Sequence, residues 1–372
     1  EIYLSDEARD QPESLEHAIF HLEQAVQLEP DYAPNLLALG NAYLACADME
    51  GASHVLQEAV RLNPDNATAW LALARAQKAT GQVEQAAISA EKAIERSDNP
   101  VDPLLLRAEV DLETNNPHSA LNRAQAALRI SPQNPKAMHI AAQALANQDK
   151  PDEALGMLEK AIPMVENNLP LLMERAQVLK AVRGLKTALD AMQDLAQLYP
   201  KNPEIHAQLA EMLAENGQLA AAVDAAQIAL QAKNSPLPAG TQANLHHLIG
   251  RQMRRTGQLD QSIQHLDEAI RLNPEAIEVY LDLGQAYQSR RQFGTALKTY
   301  QEAIKITQRD FRPYYQAGLT LKEIKDYQSA ENMLRKAADL APEDVTVHRS
   351  LGAVVALNLV HNRLKSPVDQ LQ

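Results

Sequence analysis

Between Leu36 and Ala59 the apolar residues fall on two helical faces in succession. Leu36, Leu39, Gly40 and Tyr43 recur at the i, i+3, i+4, i+7 spacing of one amphipathic helix, and Ala52, Leu56 and Ala59 line a face of a second. This two-helix pattern returns at a fixed interval. Ala18, Ala52, Ala86, Ala120, Ala154, Ala188 and Ala222 are spaced by 34 residues, and after one interval of 40 the ladder resumes at Ser262, Ala296 and Ala330. A second ladder runs seven residues behind, through Ala25, Ala59, Ala93, Ala127, Ala161, Ala229, Ala269, Ala303 and Ala337, with Leu195 its one large substitute. A period in this range predicts stacked supersecondary units, each of which buries its apolar face only against the next.

The turns follow the same period. Pro30, Pro64, Pro132, Pro200, Pro274 and Pro342 stand where the second helix must stop, since proline cannot continue a helix, and Gly81, Gly217 and Gly257 mark the tight turn between paired helices. The small residues of the ladders let helix backbones cross closely without a side-chain clash. The expected fold is an all-α, right-handed superhelical solenoid of antiparallel helix pairs. Its repeats are read as 1–32, 33–66, 67–100, 101–134, 135–168, 169–202, 203–242, 243–276, 277–310 and 311–344, followed by a capping helix and tail over 345–372. The seventh repeat carries a six-residue excess, read as a loop over 233–240 on its two prolines and one glycine. Although 372 residues suggest two or three globular domains, a quasi-one-dimensional array counts as one elongated domain.

The series Leu36, Leu39, Gly40, Tyr43, Ala52, Leu56, Ala59 and Pro64 resembles the tetratricopeptide repeat. Further copies run through Trp70, Leu73, Ala74, Ala86 and Ala93, then Tyr280, Leu283, Gly284, Tyr287, Ala296, Tyr300 and Ala303, then Tyr314, Gly318, Ala330, Leu334, Ala337 and Pro342. The middle copies depart from the pattern, with Ala108, Ala142, Ala176 and Ala210 in the glycine position. The resemblance implies that the first helix of each pair lines a concave groove, with repeat positions 2, 5, 6, 9, 12 and 13 pointing into it. By that register the partner-binding groove holds Leu37, Asn41, Leu71, Arg75, Leu105 and His139 in the first half, an apolar floor with scattered charge. In the second half it holds Arg251, Arg254, Arg255, Arg312, Tyr315, Gln316 and Lys322, a basic wall. The family's carboxylate clamp for chaperone C-termini is not formed: Asn41 occupies its place, but Leu37 replaces the clamp lysine, and Asp102 and Leu106 replace the later basic pair.

Charge and composition narrow the function. The net charge is −13, and residues 1–50 carry eleven carboxylates against Arg9 alone. An acidic chain repels the phosphate backbone, so no nucleic-acid partner is expected. No stretch approaches the roughly 18 to 20 apolar residues that cross a bilayer, so no membrane insertion is expected within this chain. The single Cys46, read as a small buried helix residue, excludes an internal disulfide and suits a reducing compartment. A cytoplasmic location is expected, although a start at Glu1 rather than Met leaves room for an upstream anchor or signal.

No catalytic constellation is visible: there is no phosphate loop, Cys-x-x-Cys, His-Glu-x-x-His or nucleophile elbow. Adjacent His246 and His247 diverge by about 100° on a helix and cannot share a metal from that helix alone. No metal or other cofactor is expected. Glu109 and Glu113 share a helix face but read as a solvated charge pair. The expected role is a non-enzymatic scaffold that grips a peptide or helix of a partner protein in its groove. Two alternatives stand beside it: a structural protein that self-associates through its acidic first end, and the non-catalytic adaptor part of a larger enzyme or envelope-biogenesis complex.

Overall fold

The computed structural model describes residues 12–166, 168–232 and 237–365. Among them the regular structure is helical: twenty α-helices and one short 3-10 turn. The chain divides into two compact units, residues 1–188 and 189–372. The first unit begins with α1 (Pro12–Leu28) and continues through the pairs α2 (Ala33–Ala45) and α3 (Met49–Leu62), α4 (Ala67–Ala79) and α5 (Val83–Arg96), α6 (Val101–Glu113) and α7 (Pro117–Ile130), and α8 (Pro135–Ala146) and α9 (Pro151–Ala161), then α10 (Leu169–Arg183). The unit boundary falls within α11 (Leu185–Leu198), not in the longer connection at 233–240. The second unit contains α12 (Pro203–Glu215) and α13 (Leu219–Leu230), α14 (Ala239–Arg255) and α15 (Leu259–Leu272), α16 (Ile277–Ser289) and α17 (Phe293–Ile306), α18 (Phe311–Glu323) and α19 (Tyr327–Leu340), and the last helix α20 (Val345–Lys365).

Helix starts at Ala33, Ala67, Val101, Pro135, Leu169, Pro203, Ile277, Phe311 and Val345 coincide with the period read from the sequence. One departs. α14 begins at Ala239, a turn before Ala243, so Ala239 and Gly240 belong to the helix and not to the loop; residues 233–236 lie outside the described residues. Local chemistry fixes many of the starts. The side chains of Asp48, Asn66, Asn116, Asn134, Asn202 and Asp326 accept hydrogen bonds from backbone N–H groups of the first turn, and Pro117, Pro135, Pro151 and Pro203 occupy first-turn positions where no N–H is needed. The turn inside most pairs places its fifteenth repeat residue in the left-handed region. Glycine serves there at Gly81, Gly217 and Gly257, but Ala47, Asn115, Asp149, Arg291 and Lys325 adopt the same positive φ, at 55 to 65°.

Both alanine ladders are buried wherever the flanking helices are present, from Ala52 and Ala59 through Ala330 and Ala337. The glycine position shows why it is small. A Cβ on Gly40, Gly250, Gly284 or Gly318 would stand 2.4, 2.7, 2.2 or 2.7 Å from Leu56, Leu266, Tyr300 or Leu334, the side chain that the pair's second helix lays over it. Where that position holds Ala74, the covering residue is Ala90, and both are fully buried in one cluster. Successive pairs are also tied by a polar contact. Trp70 Nε1, His206 Nε2, Tyr280 Oη and His348 Nε2 each hydrogen-bond a proline carbonyl six residues earlier, at Pro64, Pro200, Pro274 and Pro342, over 2.7 to 3.1 Å. These prolines therefore end one repeat and receive the next.

Candidate functional site

Within each unit the first helices of consecutive pairs touch one another, α2 with α4, α4 with α6, α6 with α8 in the first and α12 with α14, α14 with α16, α16 with α18 in the second, whereas second helices do not meet to a comparable extent. In a stack of pairs, the layer whose members close on each other is the inner one. The first-helix face is thus the inner face of each unit.

Its side chains fall into two rows. Repeat position 5 does not open into free space; it meets position 6 of the next repeat, 35 residues on. His139 Nε2 bonds Glu174, His247 Nε2 bonds Asp282 at 2.8 Å, and Tyr315 Oη meets Ser350 Oγ at 3.3 Å. Leucines use the same seam: Leu71 packs on the cluster that holds Leu106, and Leu37 on the cluster that holds Ala72. This corrects the expected apolar floor. Leu105 is only 2% exposed and is core, while Leu37 and Leu71 are half-buried against core clusters. The register alone did not separate a residue facing the groove from one closing the gap between adjacent first helices. Pairs of complementary residues at the period plus one were the signal that marks this seam.

Position 9 is the open row. Asn41, Arg75, Gln177, Glu211 and Arg251 are exposed there, and Glu109 and Gln143 half-exposed. In the first unit part of the row is cross-linked: Lys78 Nζ lies 2.6 Å from Glu109 and 3.3 Å from Glu113, and Lys136 reaches Glu109 at 2.8 Å. Burial presses the Glu109 carboxyl up, but Lys136 and Lys78 outweigh it and hold it below its ordinary value; the same pairing outweighs burial at Lys78 and holds that ammonium above its own. Glu109 and Glu113 are therefore ion-paired partners of Lys78. Arg75, beside them in the row, makes no ion pair among the described residues.

The basic wall of the second unit separates into bound and unbound cations. Arg254 Nη2 lies 2.9 Å from Asp282, the carboxylate that also holds His247, and Arg312 is engaged by Glu278 at 3.0 Å and by Asp310. Burial presses the Asp282 carboxyl up, and His247 and Arg254 more than reverse this. Arg254 and Arg312 are thus neutralised from within, by Asp282 and Glu278, which stand at positions 6 and 2 of the register, and by Asp310, which precedes its helix. Arg251 and Arg255 are exposed, Lys322 half-exposed, and none of the three has an ion-pair partner among the described residues. The Gln316 backbone carbonyl accepts from Thr320 Oγ1, which itself accepts from Gln288 Nε2; Gln288 Oε1 in turn accepts from Tyr300 Oη at 2.7 Å.

One further expectation changes. Cys46 is exposed at the C-terminal cap of α2, not buried within a helix. His246 and His247 do diverge, His246 meeting His265 with Nδ1 atoms 2.9 Å apart, and no group of three or more His, Cys, Asp and Glu suited to a metal occurs among the described residues. Nor is any described helix long and apolar enough to cross a membrane.

Known proteins resemble this chain in sequence pattern and fold. A family profile described as TPR repeat matches residues 250–290, and profiles described as tetratricopeptide repeat match 37–100 and 173–236, and 277–310 and 311–344. A profile described as anaphase-promoting complex, cyclosome, subunit 3 matches 79–161. Tetratricopeptide repeat protein 21A of Mus musculus is 33% identical over 92 residues, which is 25% of this chain and only 7% of that protein's length. Among solved structures, the C-terminal part of a TPR repeat-containing protein from Cytophaga hutchinsonii is 13% identical, with a TM-score of 0.53 over 66% of this chain and 99% of that one, a likeness of fold. YrrB, described as a TPR protein with an unusual peptide-binding site, is 18% identical and covers 48% of this chain and 92% of its own, at a TM-score of 0.41.

Proposed function

Since the chain belongs to the tetratricopeptide repeat proteins, whose arrays serve as interaction scaffolds, we propose that it holds a segment of another protein along its inner first-helix face, and that acidic side chains of that segment pair with Arg251 and Arg255. The observation that carries this reading is the division of the wall: Arg254 and Arg312 are neutralised internally, while Arg251 and Arg255 stand exposed with no ion-pair partner among the described residues. Charge-assisted hydrogen bonds from a guanidinium to a carboxylate are the stronger kind, and on an exposed face they weaken with salt. Arg75 and Asn41 offer polar contacts of the same sort on the first unit. The leucines of the fifth position hold the inner layer together and leave recognition to the ninth-position row.

Capture from native lysate on immobilised protein, eluted with a salt gradient and identified by mass spectrometry, tests this with Arg251→Glu combined with Arg255→Glu as the comparison. Both residues lie outside the internal ion pairs, so helicity is expected to be unchanged while the salt-eluted fraction is lost. An equal salt-eluted fraction from the wild type and the double variant would defeat the assignment.

A further inference from the structure

Position 12 of a first helix is the one that reaches across to the next first helix. Lys78 extends from α4 to Glu109 and Glu113 of α6, Arg254 from α14 to Asp282 of α16, and Gln288 Nε2 from α16 to Thr320 of α18. The contact at Lys78 is the fullest. Its Nζ lies 2.6 Å from Glu109 and 3.3 Å from Glu113, which stand one turn apart at positions 9 and 13, and Lys136, at position 2 of the following repeat, closes on Glu109 at 2.8 Å. Two ammonium groups and two carboxylates balance there.

The second unit carries the same positions with the charges inverted, save one. Positions 9 and 13 of α14 are Arg251 and Arg255, and position 2 of α16 is Glu278. Position 12 of α12, where an acidic side chain would complete the inverted set, is Ala214, half-buried, and its side chain is too short to reach α14. Glu278 does not make up for it, because it turns to Arg312 of α18 at 3.0 Å. Arg251 and Arg255 therefore flank a short residue where Glu109 and Glu113 flank a long one of opposite charge. Resting on the reading that an acidic segment lies along this face, we propose that one carboxylate of the segment seats beside Ala214 and bridges Arg251 and Arg255, as the Lys78 ammonium bridges Glu109 and Glu113. A carboxylate has two oxygens and accepts from both guanidinium groups at once. Ala214 is then a specificity-determining residue, since an acidic side chain in its place would take the seat from within.

Ala214→Glu tests the seat without a ligand. The introduced carboxyl is followed by NMR through a pH titration, and adding Arg251→Gln or Arg255→Gln to this variant is expected to raise its pKa by about one unit in each case. Glu211 and Glu215 flank position 214 in every variant and drop out of that difference. A pKa that either arginine replacement leaves unchanged overturns the proposal, while the salt-elution test of the two arginines stands on its own. Fluorescence anisotropy of a labelled hexaglutamate peptide tests the ligand. The wild type is expected to bind it less tightly as salt rises, and Ala214→Glu to weaken binding about tenfold or more, whereas Ala214→Ser, which stays short, keeps it within about twofold. A wild type that does not bind hexaglutamate at low salt, or an Ala214→Glu protein that binds it equally, overturns the proposal; if capture from lysate still depends on the arginines, the acidic-segment reading survives without this seat. Should Ala214→Glu lose helicity, the inverted set decides: Ala214→Lys added to Arg251→Glu with Arg255→Glu rebuilds the Lys78 arrangement and should raise the urea midpoint of that double variant. An unchanged midpoint overturns the proposal.

Discussion

Gly284→Ala should destabilise the second unit, although glycine within a helix ordinarily gives way to alanine with a gain of about 1 kcal/mol. The added Cβ would stand 2.2 Å from Tyr300 Cε1, 2.5 Å from Cζ and 2.8 Å from Cδ1, more than an ångström inside ordinary contact. The ring has nowhere to retreat. Tyr300 is fully buried, and its hydroxyl donates to Gln288, which donates to Thr320 in the next first helix. Overpacking of this kind costs about 1 to 3 kcal/mol, and a ring held at both ends belongs at the upper limit, so the net loss is about 2 kcal/mol. Tyr300→Ala alone should cost about 3 to 5 kcal/mol through the cavity it leaves. In that background the clash is gone and the helix gain remains, so Gly284→Ala should then stabilise by about 1 kcal/mol. The sequence already contains that solution, since Ala74 and Ala90 occupy the same two positions in the first unit, both fully buried. Urea unfolding followed by circular dichroism gives the four stabilities of the cycle, and amide exchange in α16 and α17 shows whether the loss is local, as an array permits. An equal loss from Gly284→Ala in both backgrounds, or a gain in the wild type, would refute the size-matching argument.

Ala120→Leu and Ala154→Leu place bulky side chains on the fully buried first ladder and should each cost about 1 to 3 kcal/mol in urea unfolding; unchanged unfolding in both would count against the register. Leu105→Glu puts a charge into the core and should abolish cooperative unfolding of the first unit, whereas Asn41→Glu on the exposed row should leave the unfolding midpoint unchanged. Lys325→Gly relieves a left-handed φ of 65° and should raise stability by about 1 kcal/mol, with no gain expected at Gly81, where glycine already serves. Asp282 has a folded-state pKa below its unfolded one, so its contribution is present above the unfolded value of about 3.9 and is lost as pH falls through the lower folded value; the stability gap between wild type and Asp282→Asn should be constant from pH 7 to 5 and close in more acidic solution.

The period made the helix pairs legible because every repeat must solve the same crossing, and one small residue solves it each time. Gly40, Ala52 and Ala59 reveal their job by returning at one interval, and the helices begin where that interval puts them. Where the sequence broke its own rule, legibility failed with it. The extra residues before Ala243 suggested a loop as far as Gly240, yet the helix starts at Ala239, because its first turn needs nothing that Ala239 and Gly240 cannot supply. Cys46 sits at a pair's turn, where a small apolar residue has nothing to pack beneath.

The candidate site was less legible for a different reason. Helical register gives the direction of a side chain from its own axis, and positions 5, 6 and 9 all point broadly inward; which of them is covered depends on how far the next first helix leans over. That distance is a property of two repeats together, so it shows only in residues that pair across it: His139 with Glu174, His247 with Asp282 and Tyr315 with Ser350, all separated by 35 residues. Once positions 5 and 6 are assigned to that seam, the apolar residues of the inner face are largely spent on cohesion. The ninth-position row, where Asn41, Arg75, Gln177, Glu211 and Arg251 change in charge from repeat to repeat, is the part of the inner face left exposed beside that seam. Cohesion thus rests on positions 5 and 6 while the exposed ninth position, to which the proposed function assigns recognition, can vary in charge with no change in the stack that carries it.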